Sequence, residues 1–310
     1  MLICKVCANK NNNRVFQIKE MMFGTRDKFD YFECSNCGCI QIKEVPKNIS
    51  KYYPNNYYSF KSRSKMSYLS DGIRIVIRMI IFGVLPHFLF KQGTSSWIKK
   101  AKINFDSKIL DVGSGSGDLL KNFSARGFKN LVGIDPYIKK DIFYPSVKIF
   151  KKDLSSLKGK YDFIMLHHSL EHMDDPNQVF ADIYRLLKPK GKALIRIPLA
   201  SSLAWEKYQT NWVQLDAPRH LFIHTPKSIK VLSKKSKLTL FDIIYDSFDF
   251  QFWGSEQYQK GIPLNSKKSY NKNPLASIFS RKDIKRFRKK AKILNQEKRG
   301  DQAAFWLKRS

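Results

Sequence analysis

The most specific chemistry near the start of this chain is a set of thiols. Cys4 and Cys7 form one Cys-x-x-Cys pair, and after 26 intervening residues Cys34 and Cys37 form another. A Cys-x-x-Cys knuckle turns two thiolates toward one point, and two knuckles facing each other complete a tetrahedral Zn²⁺ site. Residues 1–50 are too few to hold a fold by apolar burial alone, so metal is a natural staple. Four thiolates close the coordination shell, so the zinc is expected to be structural. Cys39 is expected to be a spare thiol. All five cysteines fall within the first 39 residues, and an odd, clustered set argues against a disulfide framework.

A second constellation begins at Lys108-Ile-Leu-Asp111-Val-Gly113-Ser114-Gly115-Ser-Gly117-Asp118. Ile109, Leu110 and Val112 read as a buried strand. The glycines read as a turn where backbone must approach a ligand closely, and Leu119, Leu120 and Phe123 fit one face of a following helix. Asp111 stands at the strand end. Leu131-Val-Gly-Ile-Asp135-Pro136 reads as a second strand ending in an acid, where a carboxylate can hold both ribose hydroxyls of an adenosine ligand. Val147 to Phe150 reads as a third strand, followed by Asp153 and Leu154, placed to read an adenine amino group.

This combination resembles the class I S-adenosylmethionine (SAM)-dependent methyltransferases. The family's glycine motif matches Ile109 to Gly117, its ribose-binding acid matches Asp135 and its adenine-side acid matches Asp153. The resemblance continues through Tyr161-Asp-Phe-Ile-Met-Leu-His167-His168-Ser-Leu170-Glu171-His172, a fourth strand with the family's Leu-Glu-His signature. It then runs through Leu186 to Pro198, a helix end, a Pro/Gly turn and a fifth strand. The resemblance implies an α/β fold with a seven-stranded, mostly parallel Rossmann-like sheet and helices on both faces. Phe241–Tyr245 would be the sixth strand, and Gly300–Lys308 the last, inserted antiparallel between fifth and sixth. A small zinc-ribbon-like module would precede it. The implied SAM contacts are Asp111, Gly113, Ser114, Gly115, Gly117, Asp135, Pro136, Asp153 and Leu154, with His167 and His172.

The substrate side is expected in Trp205 to Thr225, after the fifth strand. Asp216-Ala-Pro-Arg219-His220-Leu-Phe-Ile-His224 resembles a block in bacterial methyltransferases that act on sugars and quinones, several of them in surface-polysaccharide pathways. Some sugar methyltransferases also carry an N-terminal Cys-x-x-Cys module. A neutral imidazole accepts a proton near pH 7. The expected base is His220, with His168 as a second candidate and Asp216 and Arg219 orienting substrate. Arg219 also suits a phosphate, whose oxygens match a guanidinium, and Trp212 is expected at the substrate. The expected reaction is methyl transfer to a hydroxyl or amine of a nucleotide-linked or lipid-linked saccharide. The alternative is a ribosomal or transfer RNA methyltransferase. Against it, no Asn/Asp-Pro-Pro-Tyr tetrapeptide follows the fourth strand, where His167-His168-Ser169-Leu170 stands instead.

These residues need a scaffold. The expected organisation is a zinc module at 1–50, an aromatic linker and apolar helical segment at 51–104, and a methyltransferase domain at 105–310 with insertions near 199–226 and 246–299. Tyr52 to Phe60 is dense in aromatics and reads as a plug against the zinc module or a stacking surface. Residues 73–90 are mostly apolar, but Arg74 and Arg78 lie inside and Gly83 and Pro86 break the second half. Such charges are costly in a bilayer, so the segment reads as a covering helix or an interfacial contact rather than a span. In Arg281 to Lys292, eight basic residues surround an apolar face of Ile284, Phe287, Ala291 and Leu294.

With 310 residues and 43% hydrophobic side chains the chain is neither disordered nor fibrous. Lys+Arg is 57 against 26 Asp+Glu, a net of +31. The excess is spread as +11, +10 and +10 over 1–106, 107–245 and 246–310. That evenness reads as a chain-wide lysine bias, and it suits an anionic glycan carrier or membrane surface at least as well as nucleic acid. The first residues do not read as a secretory signal, so the expected location is cytoplasmic, with peripheral contact to the inner face of the membrane.

Overall fold

The computed structural model describes residues 2–53 and 94–309. The expectations for 54–60 and 73–90 therefore lie outside the described residues. No described helix is long and apolar enough to cross a membrane. Three strands open the fold as an antiparallel meander: β1 (Arg14–Lys19), β2 (Lys28–Glu33) and β3 (Ile40–Ile42).

The main sheet follows. After helix α1 (Thr94–Ala101), β4 (Lys108–Val112), α2 (Asp118–Ser124), β5 (Asn130–Ile134), β6 (Ile142–Tyr144) and β7 (Val147–Phe150) build one side. β8 (Tyr161–His167), α3 (Pro176–Leu186) and β9 (Leu187–Pro198) build the other. After α4 (Leu203–Tyr208) comes β10 (Phe222–Ile223). It leaves the main sheet and pairs with β3 through Phe222↔Gln41 and Ile223↔Ile40, completing the N-terminal sheet as β1-β2-β3-β10. α5 (Pro226–Lys235), β11 (Leu238–Tyr245), α6 (Phe250–Gln259), α7 (Arg281–Gln296) and β12 (Gln302–Arg309) finish the chain.

The main sheet runs β11-β12-β9-β8-β4-β5-β7-β6, with β12 antiparallel to both neighbours. It has eight strands rather than the expected seven. The extra one, β6, forms an antiparallel hairpin with β7 (Ile142↔Ile149). Three residues with an exposed Phe143 carry too little pattern to be read as a strand from sequence.

Alternation along the buried strands feeds two apolar layers. Ile109, Phe163 and Met165 pack on one face with Leu120 and Phe123 of α2. Leu110, Ile164 and Leu166 pack on the other with Phe180 and Ile183 of α3 and Ile229 and Leu232 of α5. This second layer is continuous with Val6, Ile18, Tyr31 and Ile40, so the N-terminal sheet shares the main core. The basic helix α7 buries the expected face of Ile284, Phe287, Ala291 and Leu294, and Phe287 stacks on Phe252 of α6 at 5.4 Å. Its start is fixed by a reciprocal cap between Ser280 and Asp283.

Candidate active site

Strand order reverses beside β4: the chain goes one way to β5 and β7 and the other way to β8 and β9. A ligand crevice therefore opens at the carboxyl ends of β4, β5 and β8. Asp111 lies there, 3% exposed, and no described residue donates a hydrogen bond to its carboxylate. Burial first, then the charge of Asp135, pushes its pKa up to about 8. A buried carboxylate in that condition suits a cationic partner. Gly113, Gly115 and Gly117 all have positive φ. A Cβ on Gly117 would meet Ile149 Cδ1 at 2.2 Å, so only glycine lets this turn close. The Gly115 amide donates to Asp135 Oδ2 (3.0 Å) and the Tyr137 amide to Oδ1 (2.9 Å), which locks the second acid onto the turn. Ser114 Oγ is buried with no hydrogen-bond partner among the described residues. Pro136 follows half-buried, and Asp153 stands exposed above buried Leu154 at the end of β7. A cationic amino-acid end, a ribose and an adenine thus find an orphaned carboxylate, a braced acid and an exposed acid in that order, which fits SAM.

The loop after β8 abuts this turn: Ser169 Oγ donates to the Val112 carbonyl (2.9 Å), and a Cβ on Gly113 would meet Ser169 Cβ at 2.6 Å. His167 turns away and packs on Trp97 of α1, ring centres 4.6 Å apart. Desolvation, then Arg196 and His168, hold its pKa down to about 3. His168 has φ +50°. Its Nδ1 lies 3.3 Å from Glu171 Oε1 and its Nε2 3.1 Å from Arg196 Nη1, and Arg196 Nε donates to Asp246 (2.5 Å). Arginine only donates, so His168 Nε2 accepts and its lone pair is occupied. Glu171 is fully buried. Burial raises its pKa, but the His168 hydrogen bond and the imidazoles around it outweigh this and leave it at about 2.

His172 and His220 meet edge to face at 4.8 Å. His172 Nδ1 lies 2.8 Å from the Arg219 carbonyl and His220 Nδ1 2.7 Å from the Gln214 carbonyl. Burial, then His172, push the His220 pKa down to about 4, so it is neutral at pH 7. A row of rings links this pair to the cofactor crevice: His172 lies 6.4 Å from Tyr53, which stacks at 6.1 Å on Tyr137, 69% exposed and two residues past Asp135.

Two expected substrate residues are elsewhere. Arg219 is 0% exposed, and its guanidinium donates to Asp216, to Glu20 Oε1 (2.9 Å) and to the Tyr52 carbonyl (3.1 Å). It is a buried strut between the N-terminal sheet and the loop before β10, and it faces no substrate. Asp216, expected as a catalytic partner, spends its carboxylate on that arginine. Burial raises its pKa but Arg219 outweighs this and lowers it, and it stands 3.9 Å from His220 Nε2. Trp212 is 1% exposed and donates to Asp301 Oδ2 (3.1 Å), a core residue rather than a substrate wall. Tyr52, the first residue of the aromatic segment, is buried against Phe29 and bonded to Asp27 (2.6 Å).

The family description "methyltransferase domain" matches residues 86–241, half of the chain. The chain belongs to this methyltransferase family. The mouse EEF1A lysine methyltransferase 2 is 30% identical over 132 residues, 36% of this chain and 52% of the relative. The ubiquinone biosynthesis O-methyltransferase of Dechloromonas aromatica is 28% identical over 111 residues, 32% of this chain and 47% of the relative. The chain thus spans about half the length of the curated relatives it matches. A SAM-dependent methyltransferase from Archaeoglobus fulgidus aligns with a TM-score of 0.42 at 19% identity, over 69% of this chain and 91% of that one. Strands β4 to β9 and the glycine turn at 113–117 lie within the matched region, whereas β12 lies beyond it.

Outside that region, this methyltransferase brings its four N-terminal thiols together. Cys4 Sγ lies 3.6 Å from Cys37 Sγ and Cys7 Sγ 3.5 Å from Cys34 Sγ, and all four fall within 4.8 Å of one another. Bonds of about 2.3 Å in a tetrahedral ZnS₄ unit give sulfur separations of about 3.8 Å, so the cluster is compatible with zinc. Gln41 Nε2 donates to Cys4 Sγ (2.9 Å). Cys39 is apart, against His224 Nδ1 at 3.8 Å. Glu20, Arg196 and Tyr137 carried no readable signal: each is a single residue of ordinary type whose partners come from distant elements. Glu171 was legible only as part of its signature.

Proposed function

We propose that the protein is a SAM-dependent O-methyltransferase acting on a small polyhydroxylated acceptor, a nucleotide-linked or lipid-linked saccharide. The observation that carries the acceptor atom is the convergence of Glu171, His172 and His220 beside the cofactor crevice. Both rings offer unprotonated nitrogens and the glutamate an unpartnered oxygen. Such a cluster takes an electron-poor partner, a hydroxyl proton or a cation that a hydroxyl oxygen can bind, and this supports oxygen as the acceptor atom. The net charge of +31 suits an acceptor with an anionic carrier.

SAM supplies an electrophilic methyl on a sulfonium when bound. Asp111 would hold its amino group, Asp135 its ribose hydroxyls, and Asp153 with Leu154 its adenine. The turn at 113–117 and the ring row Tyr137–Tyr53–His172 align the acceptor with the crevice. The His168–Arg196–Asp246 chain holds Glu171 ionised without spending its second oxygen. The four cysteines hold a structural zinc that steadies β3 beside β10. Calorimetry with Asp135→Ala tests the cofactor assignment: SAM affinity is lost, and unchanged affinity would refute it. Labelled-SAM assays on cell-extract fractions test the acceptor, with label in an alkali-stable ether of a saccharide as the expected result. Label in protein or RNA would overturn it.

A further inference from the structure

We propose that Glu171, His172 and His220 hold a divalent transition-metal ion, and that the acceptor hydroxyl binds to it. This rests on the reading of the cluster as the acceptor-oxygen site. One ligand atom from each of the three residues lies within 4.8 Å of the others. Two imidazoles and one carboxylate are a donor set that binds divalent metals while leaving positions open.

The tautomers are fixed by what each ring touches. A backbone carbonyl only accepts, so His172 carries its proton on the Nδ1 facing the Arg219 carbonyl, and His220 on the Nδ1 facing the Gln214 carbonyl. In the neutral rings this tautomer leaves both Nε2 lone pairs free for a metal. A metal-ligating histidine characteristically donates its other N–H to a carbonyl or carboxylate, which orients the ring. The carboxylate shows the same preparation. Glu171 is wholly buried, Oε1 meets His168 Nδ1 at 3.3 Å, and Oε2 has no partner among the described residues. A buried, unpartnered carboxylate oxygen is costly, and a cation removes that cost.

The elements that carry the ligands are pinned to each other. Glu171 and His172 sit on the short turn Leu170–His172, and the Leu221 amide donates to the Glu171 carbonyl at 2.7 Å. The Tyr31 hydroxyl donates to the His220 carbonyl at 2.9 Å. Three protein ligands leave room for an acceptor oxygen, and the ion acidifies that hydroxyl. Its proton then leaves to solvent, the oxygen pair attacks the methyl carbon, and the carbon–sulfur bond breaks with its electrons on sulfur. The nitrogen and oxygen donors distinguish this site from the four thiolates, which favour zinc.

The test uses the full chain with one zinc already bound, titrated with Mn²⁺ and followed by loss of the free-ion EPR signal. One saturable Mn²⁺ site is expected, and no saturable site would overturn the proposal whatever the variants do. Affinity should fall more than about tenfold in Glu171→Gln and in His172→Gln, judged on variants with unchanged circular dichroism; undiminished binding in both would also overturn it. Asp135→Ala should keep Mn²⁺ binding while losing SAM, so failure of the cofactor reading is separable from failure of the metal. Methyl transfer that persists in metal-free protein but vanishes in His220→Gln would assign direct proton abstraction to His220. That result would overturn the metal while leaving O-methylation standing.

Discussion

On the proposed role of Asp111, SAM binding is expected to release a proton. The Asp111 pKa in the free protein is about 8, set by burial and by Asp135. At pH 7 the carboxyl is therefore about nine-tenths protonated, and an incoming ammonium ionises it. Binding should release about 0.9 proton at pH 7, and affinity should rise about 30-fold between pH 5.5 and pH 7. Above that the cofactor's own amino group loses its charge and the gain ends. Titration calorimetry in buffers of low and high ionisation enthalpy reads the proton count as a slope. Asp111→Asn should abolish the slope and weaken SAM about tenfold or more. The same substitution has an opposite effect on stability. The folded pKa is raised above the unfolded one, so Asp111 stabilises the fold fully below about pH 4, and this is lost as pH rises toward 8. By pH 7 the loss is about 4 kcal/mol as an order of magnitude. Ligand-free Asp111→Asn should match the wild type near pH 4 and exceed it in Tm at pH 7. Equal heats in both buffers, or a variant that still releases a proton, would refute the assignment of Asp111 to the ammonium.

The buried pair of Glu20 and Arg219 should be costly to break from one side. Glu20→Gln or Arg219→Met should lose about 3–5 kcal/mol in urea unfolding, and the double variant should lose less than the sum. Cys34→Ser should lose the bound zinc by metal analysis. It should also raise amide hydrogen exchange at 219–225, because β10 pairs with β3; unchanged exchange there would disprove the coupling. Phe287→Ala should cost about 3–5 kcal/mol while leaving SAM affinity unaltered, since that ring packs on Phe252 of α6 rather than on β4, β5 or β8.

Much of the fold was legible because its signals are local. Ile109 to Gly117 carries strand, turn and helix start in nine residues, and the thiol knuckles and the apolar face of α7 are equally self-contained. The eighth strand was not, since Ile142–Tyr144 is short and solvent-facing. The site residues divide the same way. Asp111 and Asp135 stand where strand ends put them. Arg219 and Trp212 read as substrate residues because they follow the fifth strand and a guanidinium suits a phosphate. Their burial depends on Glu20, 199 positions from Arg219, and on Asp301, 89 from Trp212. His220 was read as a proton acceptor from its type; its orientation follows from a carbonyl six residues away, which no spacing rule announces.

The pairing of β3 with β10 also orders events during synthesis. Residues 40–42 leave the ribosome about 180 residues before their partner at 222–223 exists, which at about 5–20 residues per second is a wait of roughly 10–40 s. Through that interval the nascent meander has a bare edge, which invites pairing with a neighbouring chain. The thiol knuckles need no distant partner and can close on metal at once. On the proposed zinc site, metal present during translation is therefore expected to raise the share of chains that reach the finished sheet more than metal added afterwards.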